Sequence, residues 1–99
     1  MRSFEVPEGD PEAFVERVRE ELAGTQLGDM VRIEMVAGQL VVQFTRLGRS
    51  ELRYDIFEEQ PGFRARLARE RVALTHIPFR DAFDRNFERL IARVGGRVD

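Results

Sequence analysis

The spacing of apolar residues divides the chain into segments of helical period and segments of strand period. A short strand over residues 3–6 ends at Pro7, which has no amide hydrogen to continue a ladder. Asp10-Pro11 then predicts the start of a helix, because aspartate caps the unpaired amides and proline fits the first turn. Gly24 predicts the end of this helix. Its apolar residues recur at helical spacing: Phe14, Val15, Val18 and Leu22.

In the middle of the chain the apolar period changes to two, which is typical of strands with one buried face. Residues 31–35 alternate between apolar and charged, and Ala37-Gly38-Gln39 predicts a tight reversal. Residues 40–45 repeat the alternation. A second reversal at residues 47–50 leads to a third alternating segment at residues 51–56. This pattern predicts three consecutive antiparallel strands.

Residues 63–77 fit two interpretations. Their first five residues alternate between apolar residues and arginine, as in a strand, whereas the Ala, Arg, Leu and Glu content of residues 65–74 favours a helix. We predict a strand over residues 63–77. The apolar residues change from odd-numbered to even-numbered positions near Arg69-Glu70-Arg71, which indicates a β-bulge at that point.

The most regular helical pattern follows Pro78 and ends at Gly95-Gly96. Its apolar residues are Phe79, Phe83, Phe87, Leu90, Ile91 and Val94. We therefore predict one α+β domain over residues 1–99, in the order β-α-β-β-β-β-α, with two helices on one face of an antiparallel sheet. This element order, taken over the whole chain, resembles the TBP-like and helix-grip arrangement. The resemblance implies a fold and not a function.

Composition and charge limit the classes of function. The chain has no cysteine, which excludes disulfides and thiolate metal sites and favours a cytoplasmic location. All sixteen basic residues are arginine, a bias typical of a GC-rich bacterial genome. A net charge of −2 argues against nucleic-acid binding. We find no apolar run long enough for a signal peptide or a membrane span.

The sequence predicts no catalytic, metal or cofactor site. His76 is the one histidine, and a catalytic triad or a zinc site needs partners that the sequence does not supply. We expect His76 to be structural or exposed. The acidic pairs Glu20-Glu21 and Glu58-Glu59 lie near a helix end and a turn, as solvated surface residues do. The glycines lie at turns and form no phosphate-binding loop. We therefore predict that the protein is not an enzyme and binds no cofactor.

The sheet face turned away from the helices carries the predicted binding surface. Its apolar residues of outward parity are Val36, Val41, Leu47 and Phe57. A contiguous apolar patch on an open sheet is typical of a partner surface or a dimer interface. Arg53, Arg64 and Arg66 share this face, where they could bind an anion or form a ladder of ion pairs with neighbouring carboxylates.

The predicted function is accordingly a small cytoplasmic module that binds another protein or associates with itself as a homo-oligomer. The alternative is a small-ligand-binding domain with a cavity between the sheet and the C-terminal helix, as in larger helix-grip proteins. The eight phenylalanines of this short chain favour a filled core over such a cavity.

Overall fold

The computed structural model describes residues 1–98. Over these residues the chain forms a six-stranded antiparallel sheet with two α-helices packed on one face, so the predicted α+β class is confirmed. The elements are β1 (Ser3–Val6), α1 (Pro11–Leu22), β2 (Val31–Val36), β3 (Gln39–Phe44), β4 (Ser50–Glu59), β5 (Gly62–Arg71), α2 (Arg80–Arg93) and β6 (Arg97–Val98). Short 3₁₀ segments occupy Leu27–Asp29 and Leu74–Phe79. The strand order across the sheet is β2-β3-β4-β5-β1-β6.

Helix α1 begins and ends where the sequence predicts. The Asp10 carboxylate accepts a hydrogen bond from the amide of Ala13 at 2.7 Å, and Pro11 is the first helical residue. Gly24 follows the helix with a φ of +77°, a left-handed conformation that glycine adopts without strain. Local chemistry therefore defines both ends of this helix.

The core lies between the helices and the sheet and is centred on aromatic side chains. The ring of Phe4 in β1 lies 5.6 Å from that of Phe14 in α1 and 5.5 Å from that of Tyr54 in β4, measured between centroids. Phe14 also contacts Phe63 in β5 at 5.6 Å. The Tyr54 hydroxyl donates to the carbonyl of Met1 at 3.0 Å, and burial raises the pKa of this phenol. These contacts fix α1 across the centre of the sheet.

Strand β5 contains an irregularity close to the predicted position. The register shifts after Arg53 of β4, and Ala68 is the extra residue of β5 at that step. The bulge lies one residue before the predicted Arg69-Glu70-Arg71. Beyond it, Glu70 contacts Arg80 of α2 at 2.8 Å, so this carboxylate lies on the helix side of the sheet.

The predicted end of this strand at Ile77 is wrong. β5 ends at Arg71, which pairs with Glu51, and β4 begins only one residue before Glu51. The neighbouring strand therefore offers at most one further residue, Ser50, for pairing. Residues 74–79 form a 3₁₀ segment instead, and α2 begins after it at Arg80.

The predicted element order omits β6. Arg97 and Val98 pair with Glu5 and Phe4, which adds a two-residue strand to the edge of the sheet next to β1. Gly95, with a φ of +92°, turns the chain from α2 into this strand. The TBP-like or helix-grip resemblance stays a prediction.

Candidate interaction surface

The outer face of the sheet does not carry the contiguous apolar patch that parity predicts. Val41 points away from the helices, as do its register neighbours Glu34 and Arg53, but only 1% of its surface is exposed. Both register neighbours have long side chains, and the methylene groups of such side chains can cover a shorter valine between them. The prediction that Val41 forms part of an exposed surface is therefore wrong.

The other predicted apolar residues lie apart from one another. Val36 is at the end of β2, and Phe57 is on β4 with the guanidinium of Arg66 at 5.7 Å from its ring centre. Leu47 lies in the β3–β4 turn, beyond the end of the sheet. The outer face therefore holds separate apolar side chains rather than one surface.

Two of the predicted arginines form ion pairs on this outer face. Arg53 Nε lies 3.0 Å from a Glu51 oxygen, and an Arg64 nitrogen lies 3.0 Å from a Glu5 oxygen. Glu51 also accepts a hydrogen bond from the side-chain amide of Gln43 at 3.1 Å. The hydrogen bonds from Arg53 and Gln43 lower the pKa of Glu51 below its ordinary value. This geometry fits the ladder of ion pairs better than it fits an anion site.

The exposed apolar side chains gather at one end of the sheet. Within residues 1–98, four of the six large apolar side chains that are more than one-third exposed lie in the β3–β4 turn and in the segment 74–79. They are Leu47 (78% exposed), Leu74 (85%), Ile77 (56%) and Phe79 (61%). We call these four residues the apolar corner.

Phe79 belongs to this corner and not to the buried stripe that helical periodicity predicts. The helix begins one residue later, at Arg80, and Phe79 is the last residue of the 3₁₀ segment. A 3₁₀ turn has 3.0 residues rather than 3.6, so its side chains point in different directions from those of a continuous α-helix. The packed stripe of α2 begins with Phe83, which is partly buried, and continues with the fully buried Phe87.

Contacts with the β3–β4 turn fix the position of the segment 74–79. The Thr75 hydroxyl donates to the carbonyl of Leu47 at 2.6 Å. Gly48 permits this close approach, because a Cβ atom at that position would lie 2.7 Å from Thr75 Oγ1. The two parts of the apolar corner are therefore held together by a direct hydrogen bond.

His76 is buried beneath the apolar corner. Its Nε2 donates to the carbonyl of Arg46 at 2.5 Å, and in the neutral imidazole its Nδ1 accepts from the Ser50 hydroxyl at 2.5 Å. The Ser50 oxygen in turn accepts from the amide of Ala73 at 2.9 Å. The imidazole packs edge-on against Phe44, with 4.6 Å between the ring centroids. This chain of hydrogen bonds joins β4, the turn and the 3₁₀ segment.

A serine hydroxyl that donates to a histidine nitrogen is also the first pair of a nucleophilic site. Here both ring nitrogens and the hydroxyl are bonded within the protein, and Ser50 and His76 are each more than nine-tenths buried. We interpret the pair as the anchor of the segment 74–79. The sequence gives no local signal for Ser50 as the partner of His76, because the two residues lie 26 positions apart and no motif links them.

A small cavity lies between the apolar corner and this buried pair. Phe44, Phe79 and Phe83 form its walls, with Ser50 and His76 also lining it, and its volume is about 40 Å³. That volume suffices for about one water molecule. Pockets for small-molecule ligands are roughly 300 to 1,000 Å³. This cavity is therefore too small to hold such a ligand.

Positive charge flanks one side of the apolar corner. Arg46 and Arg49 lie on either side of Leu47-Gly48, and neither forms an ion pair with another residue in the range 1–98. Arg80, in contrast, contacts Glu70 at 2.8 Å and Asp84 at 3.3 Å. Burial alone would lower the pKa of Arg80, but the hydrogen bond with Glu70 and the charge of Asp84 outweigh it and raise the pKa. The uncompensated charge at the corner thus comes from the turn.

No family model, curated protein or solved structure matches this chain. Among residues 1–98, no group of three or more His, Cys, Asp or Glu side chains is placed to hold a metal ion. The helices described over this range are all too short or too polar to cross a membrane.

Proposed function

We propose that this protein is a cytoplasmic, non-enzymatic interaction module that binds an apolar segment of another protein at the apolar corner. The observation that carries the proposal is the high exposure of Leu47, Leu74, Ile77 and Phe79 at one end of the sheet. Soluble proteins expose large contiguous apolar patches mainly where another molecule covers them. The absence of cysteine supports the cytoplasmic location.

The backbone of Leu47 supports the same proposal. Its φ of +58° lies in the left-handed region, which costs a non-glycine residue about 1 kcal/mol. The side chain gains little from folding in return, since most of its surface remains exposed. A strained backbone that presents an apolar side chain to solvent is typical of a functional position.

The charges near the corner indicate the chemistry of the partner. Arg46 and Arg49 flank Leu47 without an ion pair inside residues 1–98, so a bound segment with Asp or Glu beside its apolar residues would complement them. We therefore propose an acidic, amphipathic segment as the occupant. The net charge of −2 gives no corresponding support to nucleic acid as the partner.

The small-ligand alternative has weaker support at the cavity beneath the apolar corner. The cavity beside His76, of about 40 Å³, has less than one-fifth of the volume that even a small ligand pocket requires. Native mass spectrometry of the purified chain tests this alternative directly. A co-purified molecule that remains bound, and that is lost on Phe83→Trp substitution, would favour the ligand alternative over the interaction module.

Selection from a random peptide library on the immobilised full chain tests the proposed function. We expect the selected peptides to combine large apolar residues with Asp or Glu. Fluorescence anisotropy of one synthesised peptide should then show roughly tenfold weaker binding to the Leu74→Ser and Phe79→Ser variants, because apolar anchors dominate such interfaces. Phe57→Ser, on the outer face, is the matched control and should change the affinity by less than about twofold.

Two results would contradict this function. In the first, peptides bind the Leu74→Ser and Phe79→Ser variants as tightly as the unmodified chain. In the second, no peptide is selected and the chain instead sediments with vesicles of phosphatidylcholine and phosphatidylglycerol. That outcome would assign the apolar corner to a membrane surface, since apolar side chains beside arginines also suit anionic lipid.

A further inference from the structure

A second surface, outside the apolar corner, lies along the outer edge of β2. The strand order places β2 and β6 at the two edges of the sheet. β6 has two residues, whereas β2 has six. A strand at a sheet edge presents unpaired amides and carbonyls that can pair with another strand. The length of β2 makes it the edge with the larger capacity for pairing.

The register defines which backbone groups of β2 point outward. The Met30 carbonyl accepts from the amide of Thr45 at 2.9 Å, so it points toward β3. Because the direction alternates along an antiparallel strand, Val31, Ile33 and Met35 direct their amides and carbonyls to the open edge. The hydrogen bond from Arg19 Nε to the Ile33 carbonyl, at 3.2 Å, is consistent with this direction.

We propose that two copies of this chain pair through their β2 edges, antiparallel and related by a two-fold axis at Ile33. In this register Ile33 faces Ile33, and Val31 faces Met35 of the second copy. All three are residues with outward-facing amides and carbonyls, so each forms a hydrogen-bonded pair. The two sheets then continue into each other, and the interface is the same on both copies, as two-fold symmetry requires.

The charges of β2 select this register. Arg32 and Glu34 are both exposed, and neither forms an ion pair with another residue among residues 1–98. With the axis at Ile33, each Arg32 lies opposite Glu34 of the second copy, which gives two cross-strand ion pairs. A shift of two residues one way places Arg32 opposite Arg32, and the other way places Glu34 opposite Glu34. Like charges directly opposite are destabilising, so neither alternative register competes.

The space beside the edge is open. A groove of about 500 Å³ runs between the end of α1 and β2 and is lined by Arg19, Ala23 and Asp29 among others. Pairing requires Arg19 to release the Ile33 carbonyl. The Arg19 side chain is half exposed and also contacts Glu16 at 2.7 Å, so it keeps a partner after the release.

Sedimentation velocity of the full chain over a range of concentrations tests the proposal. We expect a reversible dimer whose dissociation constant rises roughly tenfold in Glu34→Arg and in Arg32→Glu, because each change replaces two attractive pairs with two repulsive ones. The double variant Arg32→Glu/Glu34→Arg exchanges the charges and should restore the affinity of the unmodified chain. Glu58→Arg changes the net charge equally at another exposed position and should leave the dimer intact.

Hydrogen exchange locates the interface. The amides of Val31, Ile33 and Met35 should exchange more slowly as the concentration rises, whereas those of the apolar corner should not change. A monomer at all concentrations overturns the proposal, as does a dimer that Glu34→Arg leaves unchanged. The proposal does not depend on the proposed function. If Leu74→Ser dissociates the dimer and Glu34→Arg does not, the proposed β2 interface is overturned and self-association is placed at the apolar corner.

Discussion

The outer face of the sheet and the apolar corner both expose large apolar side chains, and they differ in what surrounds those side chains. On the outer face, Phe57 has the guanidinium of Arg66 near its ring, and Val41 is buried at a position flanked by Glu34 and Arg53. At the corner, Leu74 and Phe79 project from a 3₁₀ segment into solvent. The difference teaches that sheet neighbours decide whether an outward apolar residue forms a surface.

The two regions also differ in how they are held. The outer face is part of the hydrogen-bonded sheet, so its geometry follows from strand pairing. The corner depends on the bonds of His76, Ser50 and Thr75 to surrounding groups. The free energy of unfolding should therefore respond by different amounts to substitutions in three places. These are the buried bonds beneath the corner, the outer face, and the corner itself.

The largest effect is expected from loss of the anchor. His76→Ala removes two hydrogen bonds, leaves the Arg46 carbonyl and the Ser50 hydroxyl without their partner, and opens a cavity beside Phe44. We expect the free energy of unfolding to fall by about 2 to 4 kcal/mol. Urea denaturation measures this change. Thr75→Ala, which removes one hydrogen bond, is the control and should cost about 1 kcal/mol; equal effects of the two variants would argue against His76 as the anchor.

The next effect separates two valines of the outer face. Val41→Ala should lower the free energy of unfolding by about 1 to 2 kcal/mol, because the removed methyl groups are buried. Val36→Ala, at a position that is 36% exposed, should cost less than about 0.5 kcal/mol. Urea denaturation of the matched pair is sufficient. If both variants cost the same, Val41 is not covered in the way that its register neighbours imply.

A smaller effect should depend on pH. The pKa of Glu51 is lowered in the folded chain, so its ionised form contributes stability that is present above the ordinary glutamate pKa and is lost as the pH falls through the folded-state pKa. Glu51→Gln should therefore cost roughly 0.5 kcal/mol at pH 7. The difference between the two chains should shrink as the pH falls below the ordinary glutamate pKa of about 4.3 and through the lowered pKa of Glu51. A difference that stays constant from pH 7 to pH 3 would show that the charge of Glu51 is not its cause.

The smallest effect on stability is expected at the corner. Leu74→Ser should change the free energy of unfolding by less than about 0.5 kcal/mol, since its side chain is largely exposed in the folded chain. The same substitution should reduce the fluorescence of anilinonaphthalene sulfonate added to the folded protein, because the dye binds exposed apolar surface. A loss of stability as large as that of His76→Ala would mean that Leu74 supports the fold rather than binding.

Much of the fold could be predicted from sequence because the signals are local. Asp10-Pro11 and Gly24 define α1, and the alternation of residues 31–56 gives the strands of the meander. The end of β5 could not be predicted in this way. It depends on where β4 begins, which is a property of the pairing and not of the residues near Ile77.

The candidate site was harder to predict than the fold. Parity correctly assigned Val41 an outward direction, but its burial follows from its position between two adjacent strands, opposite Glu34 and Arg53. The sequence likewise identified His76 as isolated, since its partner Ser50 lies far away along the chain. The exposure of Val41 and the pairing of His76 both depend on residues that are close in space but distant in the sequence, so the local pattern of residues does not reveal them.

By itself the sequence determined that this chain has an antiparallel sheet covered by helices on one face. The spacing of apolar residues is contained within each segment, and it defines both the type of element and the side of it that is buried. The tertiary structure alone decided where apolar side chains remain exposed. Residues 74–79 form a 3₁₀ segment rather than the predicted end of a strand and start of a helix, because Ser50 and the β3–β4 turn bind them through contacts that cross 26 or more residues of chain. Bonds over that distance form only when the sheet has brought its strands together.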